Sequence, residues 1–142
     1  MARVAVLGCG RWGQNHLKTL HNLKNEGMDD TVHAIDISEI ARDASTHADY
    51  VSEKIDQQEI DLVIIATPSK LHAAQAKELM EKGYHVLVEK PLGCCEAEAA
   101  QVLAAAQENG RMVSVGLLLR FHPAVQTAKR MISNGKIDRI ES

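Results

Sequence analysis

Long apolar runs are missing from this sequence. No stretch approaches the roughly 20 residues that a membrane-spanning helix needs, and Met1-Ala2-Arg3-Val4-Ala5-Val6-Leu7-Gly8 is too brief for a secretory signal before it turns into glycines. Basic charge is not in excess: 16 Lys and Arg face 19 Asp and Glu, for a net charge of −3 and a pI of about 6.1. Nucleic acid and anionic membrane both call for basic clusters, so neither is an expected partner. Cysteine is scarce and odd in number, three in all with Cys94 and Cys95 adjacent, a poor disulfide framework that fits a reducing compartment. Seven histidines are present without metal-ligand spacing. His16 and His21 do not share a face at i, i+4, and His33, His47 and His85 belong to separate elements. There is no internal repeat, low-complexity tract or Pro/Gly-rich linker. The expectation is a soluble cytoplasmic chain of 142 residues, without a bound metal, large enough for one domain that buries about two-thirds of its unfolded surface.

Two periods alternate along the chain. Short β-type runs are Val4–Leu7, Thr31–Ile35, Leu62–Ala66, His85–Val88 and Met112–Val115. Three of them are almost continuously apolar, as strands covered on both faces by helices are. Tyr50-Val51 reads as a further short strand before a brief helix over 55–59. Between the strands lie helical patterns: Trp12 to Glu26 with Leu17, Leu20 and Leu23 inward, and a helix capped by Ser38 that uses Ile40, Ala41 and Ala44. Ser69 is expected to cap a helix with Ala73, Ala76, Leu79 and Met80 inward, and Glu96 to Asn109 buries Val102, Leu103 and Ala106. Gly27, Gly83 and Gly110 fall where a left-handed residue ends a helix. Strand–helix alternation at this spacing implies an α/β fold with a doubly wound parallel sheet, because parallel strands need helical crossovers. After Arg120 the pattern changes. Pro123 opens a helix through Val125, Ala128 and Met131, and residues 137–142 read as the start of a strand without a partner, as in a structure cut short.

The first strand runs into Gly8-Cys9-Gly10-Arg11-Trp12-Gly13, a G-x-G-x-x-G pattern that opens a helix and precedes a second strand ending at Asp36. In that context the pattern predicts a phosphate-binding turn. Gly8 permits the bend, Gly10 lets the backbone approach a pyrophosphate, and Gly13 allows close packing of helix on strand. The helix N-terminus offers free N–H groups and partial positive charge. Asp36 is placed to accept hydrogen bonds from a ribose diol and to repel a 2′-phosphate, which favours NAD, with NADP possible because Arg11 can meet an extra phosphate. Trp12 either packs or covers the dinucleotide. Cys9 is expected to fill the loop, and Cys94 and Cys95 to be small buried residues beside a helix start.

Two further stretches follow strands: Ala66-Thr67-Pro68-Ser69-Lys70-Leu71-His72 and Glu89-Lys90-Pro91-Leu92. With the glycine loop and Gln14-Asn15-His16, these A-T-P-x-x-x-H and E-K-P stretches resemble the glucose–fructose oxidoreductase/inositol dehydrogenase family (Gfo/Idh/MocA). The W-G-x-N-H variant and Arg120-Phe121-His122-Pro123-Ala124-Val125 are most similar to its nucleotide-sugar branch. The resemblance implies a Rossmann domain over residues 1–120 and, over 121–142, the first elements of a second, substrate-binding domain. It implies oxidation of a ring hydroxyl of a sugar or nucleotide sugar, with Lys90 touching the nicotinamide ribose and the reacting hydroxyl. Glu89 and Pro91 would position that lysine, and Thr67 and Pro68 would line the cofactor. His72 would stand beside them in a structural or cofactor-side role.

The sequence also departs from the family. Leu117-Leu118-Leu119 occupy positions where this branch mixes in His, Asn or Glu toward the substrate, and His122 stands where Asn is more usual. No histidine follows His122, so the customary catalytic base of the second domain is not in this chain. Three readings compete: the cofactor half of a sugar dehydrogenase, a dinucleotide-binding module without catalysis, or a remnant that acts by association. The leucines and the orphan strand favour a second copy or a partner chain at the C-terminal edge, since apolar patches and open strand edges rarely stay free.

Overall fold

The computed structural model describes residues 2–28, 30–55 and 60–137. Six parallel strands form its centre: β1 (Arg3–Leu7), β2 (Thr31–Ile35), β3 (Tyr50–Ser52), β4 (Leu62–Ile65), β5 (His85–Val88) and β6 (Val113–Val115). They lie in the order β3-β2-β1-β4-β5-β6, the doubly wound arrangement in which the strand order, not the strand direction, reverses between β1 and β4. Register is fixed through the middle, with Val6 beside Ala34 and Ile64, and Ile64 beside Leu87. The helices are α1 (Arg11–Asn25), α2 (Glu39–Asp43), α3 (His72–Glu81), α4 (Glu96–Glu108) and α5 (Pro123–Ser133). Of the expected brief helix, residues 56–59 lie outside the described residues, as do residues 138–142 of the expected last strand.

The sheet separates two apolar layers, which explains why its strands read as continuous apolar runs. Val4, Val6, Val32, Ala34 and Ile64 point to the layer holding Leu17 of α1. Ala5, Ile35, Val63, Ile65, Val86 and Val88 point the other way, against Ala76, Leu79 and Met80 of α3 and Val102, Ala105 and Ala106 of α4. Each fully buried Leu, Ile or Val contributes about 1.5–3 kcal/mol relative to exposure.

Several local expectations are corrected. Ser69 does not cap α3: residues Ser69–Leu71 form a 3-10 turn, and α3 starts behind Leu71 with no side-chain cap. Pro68 precedes that turn, and the Leu71 N–H closes it by donating to the Pro68 carbonyl at 2.9 Å. In α4, Leu103 is half exposed and Ala105 takes the inward place, because the positions i, i+3 and i+4 from Val102 share one face. Ile40 and Ala44 are exposed rather than inward, and of the three only Ala41 packs against the layer of Leu17; Ser38 caps α2 by accepting from the Ala41 N–H at 3.4 Å. Leu23 is exposed rather than inward, and α1 packs on the sheet through Leu17 and Leu20. Cys94 and Cys95 are exposed, not buried, since they precede α4 rather than lie on its inward face. Gly27, Gly83 and Gly110 do carry positive φ at the helix ends, and Pro123 does open α5, with the His122 ring accepting from the Ala124 N–H at 3.2 Å.

Candidate cofactor site

Ladder hydrogen bonds continue one residue past the strands and fix the start of each loop at the carboxyl edge of the sheet. Gly8 N–H donates to the Ile35 carbonyl (2.8 Å), Ala66 N–H to Leu7 (2.8 Å), Glu89 N–H to Ile65 (2.9 Å) and Gly116 N–H to Val88 (2.8 Å). The segments singled out in the sequence thus meet at the point where strand order reverses, the place where open α/β sheets take ligands.

The glycine turn shows why it needs glycines. Gly8 has φ +91°, and a Cβ there would lie 2.8 Å from the Thr67 backbone nitrogen. A Cβ on Gly13 would lie 1.9 Å from the Gly8 carbonyl oxygen, so only glycine lets α1 start this close to β1. A Cβ on Gly10 would meet nothing within 4 Å beyond its own neighbours in the chain. That open cradle, at the N-terminus of a 15-residue helix with no side-chain cap, leaves N–H groups free for phosphate oxygens. Asp36 holds the turn from the side: one carboxylate oxygen accepts from the Cys9 N–H at 2.6 Å and the other from the Ser38 N–H at 2.7 Å. Cys9 is buried as expected, and burial raises its thiol above the usual range, so it stays protonated.

On the other side of the reversal, the A-T-P and E-K-P loops are tied together by His72, which is fully buried. Its Nδ1 lies 2.7 Å from the Pro91 carbonyl oxygen and its Nε2 2.8 Å from the Thr67 carbonyl oxygen; both partners are acceptors, and a neutral ring donates its single N–H to one of them. The Thr67 hydroxyl donates to the Gln75 carbonyl oxygen Oε1 at 2.5 Å. The Lys90–Pro91 peptide is cis. Lys90 is exposed, and among the described residues no hydrogen bond or ion pair engages its ammonium group.

Two residues that sequence reasoning left without a role also belong here. His16 Nε2 lies 2.8 Å from Glu89 Oε1 and joins α1 to the E-K-P loop; the W-G-x-N-H stretch contained the signal, but nothing in one dimension pairs it with Glu89. Gln14 donates to the Cys9 carbonyl and the Ser45 hydroxyl, each at 3.0 Å, and braces the glycine turn against α2. Trp12, 48% exposed, faces a cavity of about 450 Å³ with Lys90 and Leu117–Leu119. Arg11 and Pro68 are exposed.

A doubly wound sheet with an open glycine cradle and an acidic residue after its second strand has the architecture of a dinucleotide-binding fold. The chain belongs to the oxidoreductase family with an NAD-binding Rossmann fold, Gfo/Idh/MocA, which it matches over residues 2–117. It is 33% identical over 147 aligned positions to 4-carboxy-2-hydroxymuconate-6-semialdehyde dehydrogenase of Sphingobium sp., covering 95% of this chain and 44% of that protein. It is 31% identical to inositol 2-dehydrogenase 2 of Saccharopolyspora erythraea, over 96% of this chain and 42% of the relative. Its fold superposes on the WlbA dehydrogenase of Chromobacterium violaceum, solved with NADH and UDP-GlcNAcA, with TM-score 0.85 and 28% identity over 94% of this chain and 40% of that one. The chain therefore spans about two-fifths of the length of the proteins it matches. Among the described residues no helix is long and apolar enough to cross a membrane, and no group of three or more His, Cys, Asp or Glu could hold a metal ion.

Proposed function

We propose that residues 1–120 bind NAD and form the cofactor half of a dehydrogenase that oxidises a ring hydroxyl of a sugar, polyol or nucleotide sugar, with 121–142 opening a second domain. The observation that carries this reading is the convergence of the Gly10 cradle, Asp36 and the unpaired Lys90 on one edge of the sheet. The family membership and the dehydrogenases among the relatives support it.

The residues present fit the cofactor. Gly8, Gly10 and Gly13 with the first turn of α1 receive the pyrophosphate, and Arg11 lies at its edge. Both oxygens of Asp36 keep lone pairs beyond those given to Cys9 and Ser38, enough to accept from the ribose diol. Thr67 and Pro68 line the path toward Lys90, and Trp12 covers the nicotinamide end. When bound, NAD⁺ supplies the hydride acceptor: the alcohol carbon gives up a hydride to the nicotinamide, its hydroxyl gives up a proton, and a carbonyl remains. Lys90 donates hydrogen bonds to the reacting oxygen and steadies its developing negative charge. Glu89, held by His16, and Pro91, held by His72, keep that lysine in place. A proton acceptor comes from the substrate domain of a longer chain or of a partner.

The test is a titration with NAD and with NADP, followed by the emission of Trp12 and by calorimetry. Saturable NAD binding at least tenfold tighter than NADP is expected, and Asp36→Ala should narrow that gap. Lys90→Met should weaken NAD binding only a few-fold, because it removes one contact to the nicotinamide ribose while the groups that receive the pyrophosphate and the adenosine ribose remain. A folded chain that binds neither nucleotide refutes the reading.

A further inference from the structure

Arg42 lies against the residue that the cofactor reading places on the adenosine ribose. From α2 its Nη1 donates to the Asp36 carbonyl oxygen at 2.7 Å, and the residue is half-buried. Asp36, Glu39 and Asp43 are close to it in the chain, yet among the described residues none of them forms an ion pair with it. The Asp36 carboxylate is turned elsewhere: its two oxygens accept from the Cys9 N–H at 2.6 Å and the Ser38 N–H at 2.7 Å. A guanidinium carries five N–H donors, and among the described residues this one spends a donor only on the Asp36 backbone carbonyl. A carboxylate and an unpaired cation therefore stand side by side after β2. Arg11, the cation that the sequence suggested for an extra phosphate, is exposed in the first turn of α1, and among the described residues no hydrogen bond joins it to Asp36.

NAD and NADP differ at one oxygen of that ribose. The 2′-hydroxyl of NAD donates to a carboxylate, whereas the 2′-phosphate of NADP brings negative charge and acceptor oxygens. Such a phosphate is repelled by Asp36 and gains charge-assisted, forked hydrogen bonds from a guanidinium. We propose that Arg42 determines how much NADP the site accepts: the 2′-phosphate meets its free donors, and the neighbouring Asp36 charge opposes that contact. The preference for NAD is then a balance between two side chains rather than the effect of Asp36 alone. The proposal rests on the cofactor reading of this edge and goes beyond it by assigning the 2′-phosphate to Arg42 instead of Arg11. Every group involved lies in the glycine turn, at the end of β2 or in α2.

The experiment is calorimetry at constant ionic strength with two pairs of probes: NAD against NADP, and adenosine 5′-phosphate against adenosine 2′,5′-bisphosphate. Within each pair only the 2′-phosphate differs. Arg42→Gln keeps a donor for the Asp36 carbonyl and removes the charge. It should weaken the 2′-phosphorylated member of each pair at least fivefold and the other member less than twofold. Arg42→Lys, which restores the charge without the fork, should recover part of that loss. With Asp36→Ala the opposing charge is gone, so adding Arg42→Gln there should cost NADP at least tenfold. Arg11→Gln should weaken NAD and NADP alike. Circular dichroism confirms that each variant is folded, and the Arg42 variants in the parent background decide the matter should Asp36→Ala fail to fold. Equal weakening of both members of a pair by Arg42→Gln overturns the proposal, because the arginine then only braces the turn. No change in either member overturns it as well, and a selective loss of NADP in Arg11→Gln gives the phosphate to Arg11 instead. A parent that binds NAD while its NADP affinity ignores Arg42 sinks this assignment and leaves the cofactor reading intact, whereas a folded parent that binds none of the four probes sinks both.

Discussion

Gly13 shows how one side chain's absence governs a whole turn. Its missing Cβ is what allows the start of α1 to sit against the Gly8 carbonyl, with the Val6 side chain next in line at 3.5 Å. Backbone cannot retreat as a flexible side chain can, so Gly13→Ala forces helix and strand apart. The expected cost is about 3 kcal/mol, the upper end of ordinary overpacking, measured by denaturant unfolding. NAD affinity should fall in the fraction that stays folded. Gly10→Ala provides the contrast: its Cβ meets nothing within 4 Å, so stability should hold while a nucleotide that needs the cradle is repelled. Asp36, directly after β2, holds the same turn through the Cys9 N–H and the start of α2 through the Ser38 N–H. Its position after the strand was readable from sequence, but its grip on Cys9 and Ser38 was not.

At the scale of elements, β2 and β3 meet α1 through a small polar cluster. The His33 ring stacks on Tyr50 at 4.9 Å between centroids, and Asp49 lies close by, accepting from Lys24 at 2.7 Å and from the Val32 N–H at 2.9 Å. Burial lowers the affinity of His33 for a proton, with Asp49 opposing that shift. The unfolded chain therefore binds the proton more readily in the window just below about 6.5, the ordinary histidine value. Stability present above that window falls as pH drops through it. The Lys24 hydrogen bond holds Asp49 below the usual carboxylate range, so its contribution persists through the histidine window and is lost only at more acid pH. Thermal midpoints measured from pH 7.5 to 5 should fall for the parent. They should fall less for His33→Phe, which keeps a ring against Tyr50 and has nothing to protonate. An equal fall in both would place the titrating group elsewhere.

At the scale of the molecule, the two layers end where β6 ends. The 3-10 turn Leu118–Phe121 and all of α5 contain no buried residue, yet Phe121 is 80% exposed and Val125, Met131 and Ile132 follow it on the helix. An amphipathic helix that turns an apolar stripe outward offers an interaction face. We expect the chain to associate through it, as light scattering across a concentration series would register. Phe121→Asp with Val125→Lys should shift the mass toward the monomer and leave NAD binding unchanged. A monomeric parent at high concentration would dismiss the association.

Much of this architecture was legible in one dimension because it depends on local rules. Apolar runs bounded by turns gave the parallel strands, glycines with positive φ ended three helices, and the spacing of G-x-G-x-x-G and Asp36 marked the turn that forms between β1 and α1. Less legible were the features set by neighbours distant in the chain. The inward phase of α4, the 3-10 turn after Pro68 and the exposure of Cys94 and Cys95 all depend on how each segment meets the sheet. The pairing of His16 with Glu89 and the clamp of His72 on Thr67 and Pro91 join loops that only the strand order brings together. By itself, the sequence determined the doubly wound class, the glycine turn and the lysine after β5, because each is written in residues adjacent along the chain. Only the tertiary structure decided that this lysine stands unpaired beside a leucine-walled cavity with Arg120. A cavity is made by surfaces of separate elements, and its polarity is settled by which of their side chains have already found partners.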